Sequence, residues 1–131
     1  METRSERRVL RSGGAFEALA GYSRAVRIGP TIAVSGTAAI GPDGRVLHAG
    51  DTHAQTREAF ERALAAVEEL GGTRERVLRT RIFLTPDADW RGAAEAHREL
   101  FEGIDPANTT LFVAGFIPEG VLVEVEVDAV L

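Results

Sequence analysis

The chain has 131 residues, and its 20 acidic against 15 basic side chains give a formal net charge of −5 at pH 7. This length predicts one domain, residues 1–131, and the acidic balance argues against a nucleic-acid partner because phosphate binding requires a basic surface. The absence of cysteine excludes a disulfide framework, a thiol nucleophile and a thiolate metal site. No apolar stretch is long enough to span a membrane, and Met1–Glu6 lacks the apolar core of a signal peptide. We therefore expect a cytoplasmic protein with no membrane partner.

The first third of the chain predicts short strands. A strand over residues 7–11 comes first, and two β-type runs follow at residues 23–28 and 31–35. Gly29-Pro30 separates these two runs at the distance of a tight turn, which predicts a hairpin. A further short strand is predicted over residues 45–47.

Two helices are predicted in the middle of the chain. Thr52-x-x-Gln55 has the form of a capping box and Gly71-Gly72 is a stop signal, which together predict a helix over residues 53–70. A second helix begins after Pro86, with Asp87 or Asp89 as its cap. Its apolar stripe at helical spacing consists of Trp90, Ala93, Ala94, His97, Leu100 and Phe101.

Three more strands are predicted at residues 77–84, 108–113 and 121–130, and in the first and last of these apolar and polar residues alternate. In the first and last of them one face is apolar, and the other face carries charged or aromatic side chains. These side chains are Arg79, Arg81 and Phe83 on the earlier strand, and Glu124, Glu126 and Asp128 on the later one.

The resulting element order, β-β-β(-β)-α-β-α-β-β, predicts an α+β two-layer domain, a mixed β-sheet with two helices on one face. The other face of the sheet is left uncovered. Either its charged side chains face solvent, or this face packs against other copies of the chain in a ring.

A series of short motifs runs along almost the whole chain. They are Gly21-Tyr22-Ser23-Arg24-Ala25-Val26, Ile32-Ala33-Val34-Ser35-Gly36, Asp51 to Gln55, Arg79 to Leu84 with Pro86-Asp87, Phe101 before Pro106-Ala107, and Val123-Glu124-Val125-Glu126. In their order and spacing these motifs resemble the Rid proteins, the reactive intermediate deaminases of the YjgF type.

The resemblance implies a chorismate-mutase-like fold that assembles as a homotrimer, with the uncovered sheet faces forming an inner barrel and a ligand cleft at each subunit boundary. It implies a cofactor-free hydrolase for small reactive enamines and imines, such as 2-aminoacrylate, which yields a keto acid and ammonia. The expected ligand is a small-molecule metabolite.

The resemblance also assigns roles to residues. Glu124 takes the place of the family's water-positioning glutamate, and Tyr22 and Gly36 take those of its tyrosine and glycine. The family's arginine, which clamps the substrate carboxylate after the Pro-Ala step, is replaced here by Asn108. A neutral amide supplies no charge to a carboxylate, so we expect weak or absent action on 2-aminoacrylate.

If another cation compensates for the missing clamp, the candidates are Arg81 first, then Arg79, and then Arg24. Phe83 lies on the same predicted face as Arg79 and Arg81 and is a further candidate substrate contact. Alternatively, Arg79 and Arg81 pair with the acidic side chains of the last strand. Thr110 lies beside Asn108 and is a further candidate ligand contact.

The histidines indicate no metal site. His97 lies on the apolar stripe of the second helix and reads as a packed histidine, and neither His48 nor His53 has a carboxylate at ligand spacing in the sequence.

Other functions stay open at this point. They are a non-catalytic metabolite-binding protein of the same fold, a pathway-specific enzyme with a different substrate, and the ribonuclease role sometimes attached to this family, against which the acidic charge argues.

Overall fold

The computed structural model describes residues 6–131. Residues 1–5, which make up most of the segment used to argue against a signal peptide, lie outside the described part of the chain. Within that part, none of the helices has both the length and the apolar character needed to cross a bilayer.

The described residues form a six-stranded sheet and three α-helices. The strands are β1 Arg7–Leu10, β2 Ala25–Ile28, β3 Thr31–Thr37, β4 Val77–Leu84, β5 Ala107–Phe112 and β6 Val123–Val130, and the helices are α1 Ala15–Ala20, α2 Thr52–Glu69 and α3 Trp90–Phe101, with a 3₁₀ turn at Arg74–Arg76. The sheet order is β1-β2-β3-β6-β4-β5, in which β4 and β5 run parallel and the other neighbours run antiparallel. The predicted α+β fold with a mixed sheet is confirmed.

The core lies between the sheet and the two long helices, α2 and α3. Phe60 of α2 and Phe101 of α3 are fully buried, and their rings meet edge to face at 5.3 Å. Val125 and Val127 of β6 are also fully buried. Burial of each such side chain stabilises the fold by about 1.5–3 kcal/mol. Because side chains alternate along a strand, the acidic residues of β6 lie on the opposite face, as predicted.

The start of α2 differs from the capping-box prediction, which was wrong. Asp51 is the N-cap, and its carboxylate accepts a hydrogen bond from the Ala54 N–H at 3.0 Å. Gln55 is fully buried and holds the segment before β6 instead, because its amide donates to Gly120 O at 3.2 Å and accepts from Leu122 N at 2.9 Å.

Helix α3 begins as one of the two alternatives predicted, with the Asp89 carboxylate accepting from Gly92 N at 3.1 Å. Its buried stripe differs from the predicted one. Ala94 is exposed and Ala96 is buried in its place, and Trp90 is 50% exposed. Trp90 is the first residue of the helix, where the ring lies beside the Arg91 guanidinium at 5.1 Å rather than in the core.

Two further differences concern short elements. The loop predicted after β1 contains helix α1, which is held by the buried carboxylate of Glu17 accepting from both the Ser12 N–H and the Ser12 hydroxyl. Six residues are too few to show a helical period in sequence. The strand predicted over residues 45–47 is reduced to an isolated bridge between Ile40 and Val46.

Candidate functional site

Glu124 lies on the helix-free face of the sheet and packs directly on Gly36 of β3. A Cβ atom built on Gly36 would lie 3.0 Å from the carboxyl carbon of Glu124 and closer still to its Oε1. The pairing of β3 with β6 shifts register between Val34 and Thr37, so this contact falls at an irregularity of the ladder. Glycine at position 36 is therefore what leaves room for the Glu124 carboxylate.

Arg24 is the cation of this site. Its Nη2 donates to the carbonyl oxygen of Gly36 at 2.6 Å, and its Nε is buried with no hydrogen-bond partner among residues 6–131. The pKa of Glu124 is raised above its ordinary value, chiefly because burial disfavours the charged carboxylate. The positive charge of Arg24 opposes that rise, and the negative charge of Glu126 adds to it. Charge, burial and close packing thus meet at one carboxyl group.

Tyr22 and Ser35 line a groove of about 730 Å³ between α1 and the helix-free face of β1, β2 and β3. Tyr22 is 43% exposed. The Ser35 hydroxyl donates to Ser23 O at 2.6 Å, and the Ser35 N–H donates to Arg24 O at 2.9 Å. The segment before β2 is thereby fixed beside the strand that carries Gly36.

Arg81, the first candidate for a compensating cation, is engaged elsewhere. Its Nη1 lies 3.1 Å from Asp128 Oδ2 and 3.4 Å from Glu126 Oε1, which is the alternative that the sequence left open. Arg79 reaches Thr109 on the neighbouring strand at 3.5 Å. Of the three arginines considered, Arg24 is the one beside Glu124.

Phe83 is the register partner of Glu124 on the neighbouring strand β4, and the two residues lie side by side on the helix-free face. An aromatic side chain is therefore adjacent to the carboxylate. The contact with substrate predicted for Phe83 stays a prediction.

Asn108 and Thr110 lie on the other face of the sheet. Asn108 is the parallel partner of Thr80, and its Nδ2 donates to the Thr80 hydroxyl at 3.0 Å. The Thr110 hydroxyl donates to Asn108 Oδ1 at 2.8 Å. Because Thr80 faces the helices and Glu124 faces away from them, one chain does not bring Asn108 and Glu124 into a common cavity.

The remaining histidines have partners that sequence spacing did not reveal. His53 Nε2 lies 2.6 Å from Glu99 Oε1, and His48 Nε2 lies 3.4 Å from Glu58 Oε1, although neither carboxylate is at ligand spacing in the sequence. Glu99 is 46 residues from His53 and reaches it only because α2 and α3 pack together. Glu95 completes a set of three potential ligand atoms within 4.8 Å of one another.

Charge neighbours of that set favour a surface ion-pair cluster over a metal site. Arg57 Nη1 lies 3.7 Å from Glu99 Oε2, and Arg57 also pairs with Glu61 at 3.2 Å. An arginine so placed already supplies the positive charge that a bound cation would supply.

The protein is thus a two-layer α+β domain, and the carboxyl group at the centre of its candidate site, that of Glu124, lies on the helix-free face of the sheet. Residues 12–131 match the sequence model of the family described as Endoribonuclease L-PSP. An uncharacterized protein of Streptomyces coelicolor is 42% identical over 130 residues, which cover 98% of this chain and 95% of that protein.

Solved structures agree with this match. Rv2704 of Mycobacterium tuberculosis, described as a member of the YjgF/YER057c/UK114 family, superposes with a TM-score of 0.85 at 40% identity, covering 96% of this chain and 100% of that one. YyfA of Yersinia pestis, described as a protein of the Rid family, gives 0.81 at 30% identity, with 96% and 100% covered. The chain therefore belongs to the Endoribonuclease L-PSP family, whose solved members include proteins described as YjgF and Rid, and the resemblance found in the sequence is confirmed.

Proposed function

We propose that this protein is a Rid-like hydrolase that acts on a small reactive enamine or imine in clefts between copies of the chain, with Glu124 as the catalytic residue. The observation that carries the proposal is the half-buried Glu124 carboxyl, packed on Gly36 and placed beside Arg24. A carboxyl group whose pKa is raised by burial exchanges protons nearer to neutral pH than an exposed one.

In the proposed reaction the Glu124 carboxyl group only transfers protons. An enamine first gains a proton on carbon and loses one from nitrogen, which makes it an imine, and water then adds to the imine carbon. The Glu124 carboxylate accepts a proton from that water and passes it to the nitrogen, which gives a carbinolamine with a hydroxyl and an amino group. In a second transfer Glu124 accepts the hydroxyl proton and passes it to the amino nitrogen, so the C–N bond breaks, ammonia leaves and a carbonyl compound remains. The Arg24 charge keeps enough of Glu124 ionised for the first of these transfers.

Two exposed apolar patches support an assembly that completes the site. Leu111, Phe112 and Ile117 are exposed on or just after the edge strand β5, and Phe16 and Leu19 are exposed on α1 near the opposite edge of the sheet. Different patches at opposite edges suit a head-to-tail contact, which closes into a ring. We propose that the ring is a trimer, in which Asn108 and Thr110 of one copy face Glu124 of the next.

The substrate of this site differs from 2-aminoacrylate. A charge-assisted hydrogen bond contributes about 1.5–3 kcal/mol and a neutral one about 0.5–1.5 kcal/mol, so an amide in place of the arginine weakens carboxylate binding by roughly tenfold. Arg24 does not repair this loss within one chain, because it is already bonded to Gly36 on the other face of the sheet. An imine without a carboxylate fits the neutral amide better.

A paired assay tests the proposal. The purified protein is mixed with a pyridoxal-phosphate dehydratase and serine, which release 2-aminoacrylate, or with an amine oxidase and a small amine, which release an uncharged imine. We expect faster decay of the uncharged imine, and a fall of about 100-fold or more in Glu124→Gln. Glu119→Gln, in an exposed loop, is the control. Acceleration that survives in Glu124→Gln would remove the mechanism.

Two rival functions have their own tests. The family description names an endoribonuclease activity, and RNA binding at low salt followed by cleavage would support it, against the net charge of −5. A pure binding protein would show thermal stabilisation by keto acids or amines without any turnover. A stable single-chain particle in sedimentation would reject the shared-cleft proposal altogether.

A further inference from the structure

Four side chains form a hydrogen-bonded chain from helix α3 to the edge strand β5. His97 Nε2 lies 2.7 Å from the Thr80 hydroxyl, which accepts from Asn108 Nδ2 at 3.0 Å, and Asn108 Oδ1 accepts from Thr110 at 2.8 Å. Thr80 is fully buried, and the hydrolysis mechanism uses neither Thr80 nor His97. Its third member, Asn108, is the residue that replaces the family's arginine.

The direction of the hydrogen bonds follows from donor and acceptor chemistry. The amide nitrogen of Asn108 can only donate, so the Thr80 oxygen accepts from it. A hydroxyl oxygen has two acceptor sites, but if Thr80 accepted from both neighbours its own buried proton would have no acceptor among residues 6–131. That proton is therefore directed at His97 Nε2, as the unprotonated ring nitrogen. The neutral ring of His97 therefore carries its proton on Nδ1.

The surroundings of His97 favour this neutral form. Phe60 of α2 lies 5.4 Å from the imidazole centroid, Phe101 of α3 lies 4.7 Å away, and β4 contributes Thr80. Burial lowers the pKa of His97, and no charged group among residues 6–131 contributes to that shift.

If His97 carried its proton on Nε2, the direction of every hydrogen bond in this series would reverse. Thr80 would then accept from His97 and donate to Asn108, whose amide would have to turn its oxygen toward Thr80. The oxygen and nitrogen of an amide have nearly the same shape, so the hydrogen bonds decide between the two orientations. With Nε2 unprotonated, Asn108 uses one N–H on Thr80 and keeps its second N–H unused among the described residues.

We propose that His97 is a positioning residue which, through Thr80, fixes the Asn108 amide so that its second N–H is offered to the ligand as an uncharged donor. This inference rests on the proposed function and names its substrate class, an imine or enamine bearing a neutral carbonyl or hydroxyl oxygen. A carboxylate held by such a donor would lose hydration without gaining a counter-charge, so it is the poorer ligand.

NMR of the nitrogen-15-labelled assembled protein tests the coupling without requiring turnover. We expect His97 to be the Nδ1–H tautomer at pH 7, with a titration midpoint below its ordinary value of 6.5. The Asn108 side-chain NH₂ signals should shift along the same titration curve. Thr80→Val should abolish that shared shift, whereas Thr56→Val should retain it. Thr56 is equally buried, but within the described part of the chain its hydroxyl donates to Thr52 O alone.

Ligand binding supplies the second readout. Pyruvamide and pyruvate have the same skeleton and differ in the charge of the terminal group. We expect tighter binding of pyruvamide in the parent protein and a loss of about fivefold in Thr80→Val, the effect of one neutral hydrogen bond. If Thr80→Val fails to fold, His97→Phe keeps a packed ring, removes the acceptor and should shift the Asn108 signals.

Three results would overturn the inference: an Nε2–H tautomer at pH 7, Asn108 signals that ignore the His97 titration, or coupling that persists in Thr80→Val. Loss of the coupling with intact imine hydrolysis rejects only the role of His97. Intact coupling without hydrolysis rejects the proposed function instead.

Discussion

The two faces of the sheet carry polar groups held in different ways. On the helix-free face, Glu124 and Arg24 are charged groups positioned by a close backbone contact at Gly36. On the helix-covered side, Asn108 and Thr110 are neutral groups positioned by hydrogen bonds that lead back to His97. The first cluster keeps the glutamate and the glycine that the family resemblance assigns, Glu124 and Gly36, and the second departs from the family at Asn108.

Under the proposed function, this difference separates two tasks of the site. Proton transfer needs a carboxyl group in a fixed, partly dry position, and the first cluster supplies it. Substrate choice depends on the protein group that binds the end of the substrate away from the reacting carbon. At that position the second cluster offers an uncharged hydrogen-bond donor. Changes on the helix-free face should therefore affect turnover, and changes at Asn108 should affect which substrate binds.

The largest expected effect belongs to Gly36→Ala. The added methyl group would occupy the place of the Glu124 carboxylate, and because the obstacle is the end of a flexible side chain, Glu124 moves while the fold survives. We expect a fall of about 100-fold in imine hydrolysis with the free energy of unfolding changed by less than about 1 kcal/mol. Urea unfolding and kinetics measure the two quantities.

Gly115→Ala is the matched control, because a Cβ at Gly115 meets no atom of the described residues 6–131 within 4 Å and its φ is not positive. Its activity should equal that of the parent protein. Full activity in Gly36→Ala would show that the position of Glu124 is unimportant, and the contrast between the two faces would then fail.

The next largest expected effect is a gain of activity on 2-aminoacrylate from a substitution on the helix-covered face. Asn108→Arg restores a charge-assisted contact, and we expect about tenfold faster hydrolysis of 2-aminoacrylate through a lower KM. Thr109→Arg places the same charge on the neighbouring residue of β5, on the opposite face of the strand, and should not reproduce the gain. Sedimentation of both variants checks that the assembly persists, and an equal gain in both would contradict the assignment.

The stability of the parent protein should depend on pH through Glu124. Its folded-state pKa is raised, so the folded chain binds the proton more tightly than the unfolded chain does. Stability is therefore expected to fall as the pH rises from the unfolded value of 4.5 through the raised folded value. Urea unfolding across this window should show the fall in the parent protein and a smaller fall in Glu124→Gln. Identical pH profiles in the two proteins would mean that burial does not raise the pKa of Glu124.

Several of these features could be predicted from sequence, and the reason is local periodicity. The alternation of valines and acids over residues 121–130 predicted both faces of β6, because one face is buried along its whole length. The hairpin around Gly29-Pro30 carries its own turn signal. Such patterns are written into neighbouring residues, so they need no knowledge of distant partners.

The features that the sequence did not predict depend on contacts between segments that are far apart along the chain. Strand β5 is exposed at every position in one chain, so the run Asn108-Thr109-Thr110 has no apolar face to show which side chains meet the helices. The pairings of Gln55 with Leu122 and of His53 with Glu99 join residues far apart in sequence. The place of Arg24 beside Glu124 likewise follows from the packing of β2, β3 and β6, and only the shared face of the sheet hinted at it.

The smallest expected effect is that of Arg24→Gln, which sharpens the account of the helix-free face. Removing this cation leaves burial and Glu126 to raise the pKa of Glu124 further. Because the carboxylate is the active form, the acidic limb of the pH–rate profile should move to higher pH, while the rate on the alkaline side changes by no more than about twofold.

The control is Arg81→Gln, which removes a cation that pairs with Glu126 and Asp128. Since the side chains of these ion pairs are about one-third exposed, the substitution should lower the free energy of unfolding by less than about 1 kcal/mol. An equal shift of the acidic limb in both variants would show that the field of the whole face, and not Arg24 in particular, sets the ionisation of Glu124.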